Sequence, residues 1–184
     1  MPPAFTHRTS GDLSADRRYE YASGAFDDQD FEVASDLALQ VLELVPDFAP
    51  AHALLGRALM ASGHGKAAIA SLRRALAIEP GDSLGVRLDL ARLGALPPEE
   101  AITDGYVRAL FDGYAPQFDR HLSQGLGYRG PDLLADALRR ARALRGRPFR
   151  FGRTLDLGCG TGLMARALAG IASPIEGVDL SPRM

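Results

Sequence analysis

The residues best able to do chemistry stand together near the C-terminal end, in the run Thr154-Leu155-Asp156-Leu157-Gly158-Cys159-Gly160-Thr161-Gly162. Residues 154–157 form a short apolar stretch that predicts a buried strand. The glycines predict a turn, and Leu163, Ala165, Ala167 and Leu168 predict a helix. Strand, glycine turn and helix in that order open a nucleotide-binding β-α-β unit. Glycines there accept positive φ and let a ligand touch bare backbone. The helix N-terminus beyond them favours a negatively charged ligand group. A second strand is expected at Ile175-Glu176-Gly177-Val178, ending in Asp179, 17 residues after Gly162. A carboxylate at that place can accept hydrogen bonds from ribose hydroxyls.

Asp156-x-Gly158-x-Gly160-x-Gly162, followed by Asp179, resembles motifs I and II of class I S-adenosylmethionine-dependent methyltransferases. The upstream segment FDGYAPQFDRHLSQGLGY, residues 111–128, is similar to the lead-in helices of a bacterial group that fuses tetratricopeptide repeats to such a methyltransferase. The resemblance implies S-adenosyl-L-methionine as cofactor. It implies that Gly158, Gly160 and Gly162 line the amino-acid end, that Asp156 orients the ammonium group, and that Asp179 holds the ribose. Leu180 and Met184 would flank the adenine, and Tyr114 and Phe118 would cover the pocket. A dinucleotide reader competes, because Gly160-Thr161-Gly162-Leu163-Met164-Ala165 satisfies the G-x-G-x-x-A variant. Asp156 argues against it. An acid just before the glycines faces a pyrophosphate unfavourably and suits a ligand with an ammonium.

No other group rises to a site. Cys159 has no histidine or basic partner near it in sequence and sits where the loop needs small side chains, so a structural role is expected. His7, His52, His64 and His121 lack metal-ligand spacing, and no metal is expected. No acid–base pair stands out, so no catalytic residue is named.

The elements that must carry this loop begin with a repeat. Setting Pro46 on Pro80, 34 residues later, aligns Ala34 with Ala68 and Leu42 with Leu76. His52-x-x-Leu55-Gly56-x-x-Leu59, then Ala68-x-x-x-Leu72, then Pro80 resembles the tetratricopeptide repeat over roughly 15–82. Gly56 and Ala68 let two helices approach closely, and Ser62-Gly63-His64-Gly65 is the turn between them. A third unit starts at Ser83 as N-cap, runs through Val86, Leu90 and Leu93, and stops at Gly94–Pro98 without a second helix. Further on, Thr103 caps a helix with Tyr106, Val107, Leu110 and Phe111; a break at 113–116 precedes Phe118 and Leu122, and 125–130 is a loop. Pro131 opens an amphipathic helix with Leu133, Leu134, Ala137, Leu138, Ala141 and Leu144 inward, its arginines forming a solvated face.

Composition bounds the rest. The 184 residues are 46% hydrophobic with a net charge of −2, so no global charge recommends a nucleic-acid or membrane partner. The single cysteine excludes an internal disulfide and fits a cytoplasmic setting. The N-terminus has no apolar signal region, and Asp12 and Asp16 speak against a transit peptide. Residues 1–103 carry −6 and residues 104–184 carry +4, which marks a boundary near Pro97-Pro98.

The expected fold is therefore α + α/β: a disordered lead-in (1–14), tetratricopeptide-like repeats (15–96), then lead-in helices and the first β-α-β unit of a Rossmann-like methyltransferase domain (97–184). The repeats are expected to bind a protein or peptide. Only 31 residues follow Arg153, fewer than the resembled family's fold needs, so a C-terminally truncated sequence is expected. On that expectation the parent protein is a methyltransferase and the chain itself is inactive. The alternative is a tetratricopeptide scaffold with an inert cofactor-domain remnant.

Overall fold

The computed structural model describes residues 9–184, in two compact units that divide between Ala109 and Leu110. The expected lead-in of residues 1–14 falls partly outside the described residues. Within them, Asp12 accepts from the N–H groups of Ser14 and Ala15, both at 2.8 Å, and so caps a helix that already begins at Leu13.

The first unit is a run of helices, each packed on the next: α1 (Leu13–Asp27), α2 (Phe31–Leu44), α3 (Ala49–Ala61), α4 (Gly65–Ile78) and the short α5 (Val86–Arg92). Asp30 caps α2 through the Val33 N–H at 3.3 Å. Gly63 turns the chain between α3 and α4 at φ 81°. The close helix approach expected at Gly56 is present: a methyl there would lie 2.6 Å from Leu72 Cγ and 3.3 Å from the Ala68 carbonyl oxygen. Leu72 is thereby fully buried, and with Ala53, Ala75, Leu84, Val86 and Leu90 it forms the main core. Ala15, Val41, Phe48 and Ala51 form a second cluster between the earlier helices.

The start of α5 differs from the sequence expectation. Asp82, not Ser83, holds the new helix: its Oδ1 accepts from the Val86 N–H at 2.6 Å, with the Arg87 N–H at 3.3 Å. Ser83 instead donates its N–H to Glu79 Oε1 at 3.1 Å. Asp82 takes a left-handed φ of 52°, and that conformation aims its carboxylate at the helix start.

The units divide further along the chain than the composition boundary at 96/97. The reason is α6 (Asp104–Tyr114), whose first turns pack on the repeats. A methyl at Gly105 would lie 1.9 Å from the Gly81 carbonyl oxygen, and one at Gly85 would lie 2.6 Å from the Tyr106 ring. Glycines on both sides allow this contact, which a break-and-restart reading of Gly94–Pro98 misses.

The second unit starts with the last turn of α6, continues through a 3-10 turn (Ala115–Gln117) and the single turn α7 (Phe118–Arg120), and enters a π-helical turn (His121–Gly125). The break expected at 113–116 is thus a change of helical pitch. Next come α8 (Gly130–Leu144), β1 (Thr154–Leu157), the five-residue α9 (Leu163–Ala167) and β2 (Ile175–Val178). The strands pair in parallel, Thr154 with Ile175 through Leu157 with Val178. Parallel strands joined through a helical segment are the β-α-β topology.

Two expectations about burial fail here. Leu155 and Leu157 are 58% and 74% exposed, because strand alternation sends Thr154 and Asp156 to the covered face. On α8, Leu133 and Leu134 are exposed and Leu144 is 89% exposed, while Ala135 is buried against Leu168 and Ala172. The helix is rotated because its arginines have partners. Arg139 lies over the Phe149 ring at 4.7 Å and Arg142 over Phe151 at 5.1 Å. Arg142 also donates from Nε to the Pro148 carbonyl at 2.9 Å and from Nη2 to the Arg150 carbonyl at 2.8 Å. These arginines therefore tie α8 to the chain entering β1.

Candidate functional site

The loop after β1 is held to the second strand by backbone. The N–H groups of Gly158 and Cys159 both donate to the Val178 carbonyl, at 2.8 and 3.1 Å. Gly158, Gly160 and Gly162 take φ of 75°, 51° and 81°, so the glycine at each place is required by conformation. The Gly162 N–H closes a turn onto the Cys159 carbonyl at 3.0 Å. Cys159 packs against Gly177, where a methyl would meet its Sγ at 2.7 Å. A packing role for the cysteine follows from that fit.

Asp179, at the end of β2, reaches back to the same loop. Its Oδ2 accepts from the Gly160 N–H at 2.9 Å and its Oδ1 from the Ser181 N–H at 2.9 Å. Each oxygen keeps a further lone pair for another donor. Asp156 and Asp179 thus flank one loop, as the spacing proposes, but they do different things. Asp156 lines a cavity of about 240 Å³ together with Gly158, Cys159, Gly160 and Thr161, and Asp179 braces that loop from the side. Gly162 is not among the lining residues; its neighbours Thr161 and Leu163 are.

The opposite wall is apolar and comes from the lead-in segment and α8: Phe118, Leu122, Tyr128 and Leu134, with Met164 beside them. Phe118 therefore lines this cavity, and Tyr114 does not. Tyr114 stacks edge-on against Phe118 at 5.3 Å and hydrogen-bonds His121 Nδ1. Asp156 is the one charged side chain among the described residues that line the cavity. Its Oδ2 is shut off from solvent and has no hydrogen-bond partner among them. A buried acceptor without a donor is costly, and a ligand that brings a cationic donor satisfies it. The helix beyond Gly162 contributes less than expected, since five residues make a weak dipole.

Side chains that the motif reading passes over hold this arrangement. Thr161 Oγ1 donates to Asp119 Oδ1, and Arg166 Nη2 donates to Asp119 Oδ2 at 2.8 Å. The Thr161 hydroxyl, and next the Arg166 guanidinium, hold the Asp119 carboxyl below the usual carboxylate range. Ser181 Oγ donates to Asp112 Oδ1 at 2.5 Å. The sequence signal was present: Phe-Asp occurs at 111–112 and again at 118–119.

The first unit carries its own groove, of about 410 Å³, between the ends of α1, α3 and α5. Phe26, Phe31 and Met60 give it an apolar side, and Arg57, Asp89 and Arg92 a charged one. Arg57 donates from Nε to Asp89 Oδ2 at 2.7 Å and from Nη2 to the Leu84 carbonyl at 2.5 Å. Arg92 reaches Asp89 Oδ1 at 3.5 Å, leaving most of its side chain exposed to the groove.

Residues 25–88 match the tetratricopeptide repeat family, which includes α2, α3, α4 and most of the groove-lining residues. Residues 25–88 are thus a tetratricopeptide-repeat region within the first unit, and the chain goes on to a small parallel two-stranded sheet with helices. The chain matches none of the curated proteins with which it was compared. Among the described residues, no helix is long and apolar enough to cross a membrane.

Proposed function

We propose that the chain is first a protein-interaction module. The observation that carries this reading is the groove between α1, α3 and α5, in which the Phe26–Phe31 pair and Met60 face Arg92 across an open cleft. An apolar wall with a charged rim suits an extended or helical peptide, whose side chains fill the cleft while its polar groups meet the rim. A photo-crosslinking residue at position 60 tests this in extract of the source cells. A discrete protein adduct that disappears with Phe31→Ala and with Arg92→Glu is the expected outcome. Adducts indifferent to both substitutions count against the groove.

A second reading attaches to the second unit, and the unpartnered Asp156 Oδ2 favours it. On this reading the glycine loop binds S-adenosyl-L-methionine and the protein is a methyltransferase. The residues fit the group. Asp156 would take the ammonium, Gly158 and Gly160 would leave room along the loop, and Phe118 and Met164 would contact the apolar stem. Asp179 has the lone pairs to accept from ribose hydroxyls while it braces Gly160. The cofactor supplies an electrophilic methyl group for in-line displacement by an acceptor. What these residues would contribute is orientation and the exclusion of water.

Calorimetric titration with S-adenosylhomocysteine tests this second reading. Binding tighter than roughly millimolar that is lost in Asp156→Asn and Asp179→Ala supports it. Absence of heat from the unsubstituted chain leaves the interaction module alone, and selective binding of NAD favours the dinucleotide alternative.

A further inference from the structure

We infer that Asp119 is a positioning residue for the glycine loop, fixing Thr161 and Arg166 so that the loop is shaped for its ligand before the ligand arrives; this rests on the cofactor reading of the second unit. Asp119 lies 42 residues before Thr161, yet its two carboxylate oxygens divide between the loop and the helix that follows it. Asp112, seven residues earlier on the same segment, makes the equivalent contact to Ser181 beyond β2. The segment that roofs the cavity with Phe118 therefore also pins both loops at the ends of the two strands.

The physical need for such a pin lies in the loop's composition. Three of its five residues are glycines at positive φ, and glycine loses more conformational freedom on ordering than any other residue. The backbone bonds from Gly158, Cys159 and Gly162 fix its ends, and Asp179 fixes Gly160. Thr161 is the loop residue whose side chain is tied to the roof, and its partner is Asp119. A loop ordered in advance does not charge its ordering entropy against ligand affinity.

An exposed ion pair between Asp119 and Arg166 alone would contribute little. The Thr161 hydroxyl makes the difference, because it couples the carboxylate to a residue that lines the cavity. Asp119 itself does not line the cavity, so it acts through Thr161 and not by touching the ligand.

A double-mutant cycle on the full chain tests the inference, read as the dissociation constant of S-adenosylhomocysteine for Asp119→Ala, Thr161→Val and both together. Each single substitution is expected to weaken binding about tenfold, the order of one charge-assisted hydrogen bond. The double substitution is expected to be no worse than Asp119→Ala alone, since that change already removes the Thr161 contact. Single variants that bind like the unsubstituted chain, or effects that multiply independently, overturn the assignment.

Amide hydrogen exchange without ligand forms the second arm. Asp119→Ala should speed exchange at Gly160 and Gly162 and leave α3 and α4 unchanged. If the unsubstituted chain does not bind S-adenosylhomocysteine, the cofactor reading fails by itself. The exchange arm then still decides whether Asp119 shapes the loop, and unchanged protection at Gly160 and Gly162 refutes it.

Discussion

Gly56 and Gly24 show how one residue type carries opposite predictions. A methyl at Gly56 would press on Leu72 Cγ at 2.6 Å, deep in the α3–α4 contact. Gly56→Ala is therefore expected to cost about 1–3 kcal/mol by overpacking, read from urea denaturation of the first unit. Gly24 lies inside α1 with open space around it and no positive φ. Gly24→Ala should stabilise the same unit by about 0.5–1 kcal/mol through helix propensity. Asp82 adds a pH-dependent case. Burial pushes its carboxyl above the ordinary aspartate range, outweighing the Val86 and Arg87 amides and the Arg87 and Arg57 guanidinium groups that act the other way. The folded state then holds the proton more tightly than the unfolded chain. The contribution of Asp82 to stability is fully present below the unfolded value of about 3.9 and is lost as pH rises through the folded one. Asp82→Asn keeps an acceptor for the Val86 N–H and tolerates the left-handed φ, so it should flatten that decline. A stability–pH curve that falls equally steeply in both proteins refutes the assignment.

At the scale of elements, the repeats were legible because the 34-residue offset aligns small residues at helix crossings, and sterics leave such positions few alternatives. The strand–glycine–strand unit was legible for a similar reason, since three glycines at alternate positions have few folded uses. The orientation of α8 was not. Its apolar residues cover a broad face, and periodicity alone does not say that Arg139 and Arg142 find aromatic and carbonyl partners in residues 148–151. Nor does spacing reveal that Asp119 belongs to the loop, because a contact 42 residues apart leaves no periodic trace. The rotation of α8 has a direct check. Leu144→Glu should change stability by no more than about 0.5 kcal/mol, as for a surface position. With Leu144 facing inward, as the hydrophobic pattern alone predicts, the same change would bury an unpaired charge and cost several times more. Thermal denaturation of the full chain separates the two outcomes.

Over the whole molecule, the two units differ in how much apolar surface they remove from water. The largest fully buried side chains, Leu72, Leu90, Val41, Val86 and Asp82, all belong to the first unit. The hydrophobic core of the second rests on Ala135, Leu168 and Ala172, with Phe149, Phe151, Met164 and Ile175 partly covered, while Leu155, Leu157 and Val178 stand exposed. Burial of apolar area is the main favourable term in folding, so the second unit opens at lower cost. Hydrogen exchange is expected to show the amides of β1 and β2 exchanging well before those of α3 and α4, and urea should unfold the units in two steps, the second unit first. A ligand bound only by the folded second unit must shift that step alone. At a free concentration one hundred times its dissociation constant the shift is about 2.7 kcal/mol. On the proposed cofactor reading, S-adenosylhomocysteine should therefore move the early transition toward the late one and leave the late one in place. A single cooperative transition at every ligand concentration would refute this difference in stability between the two units.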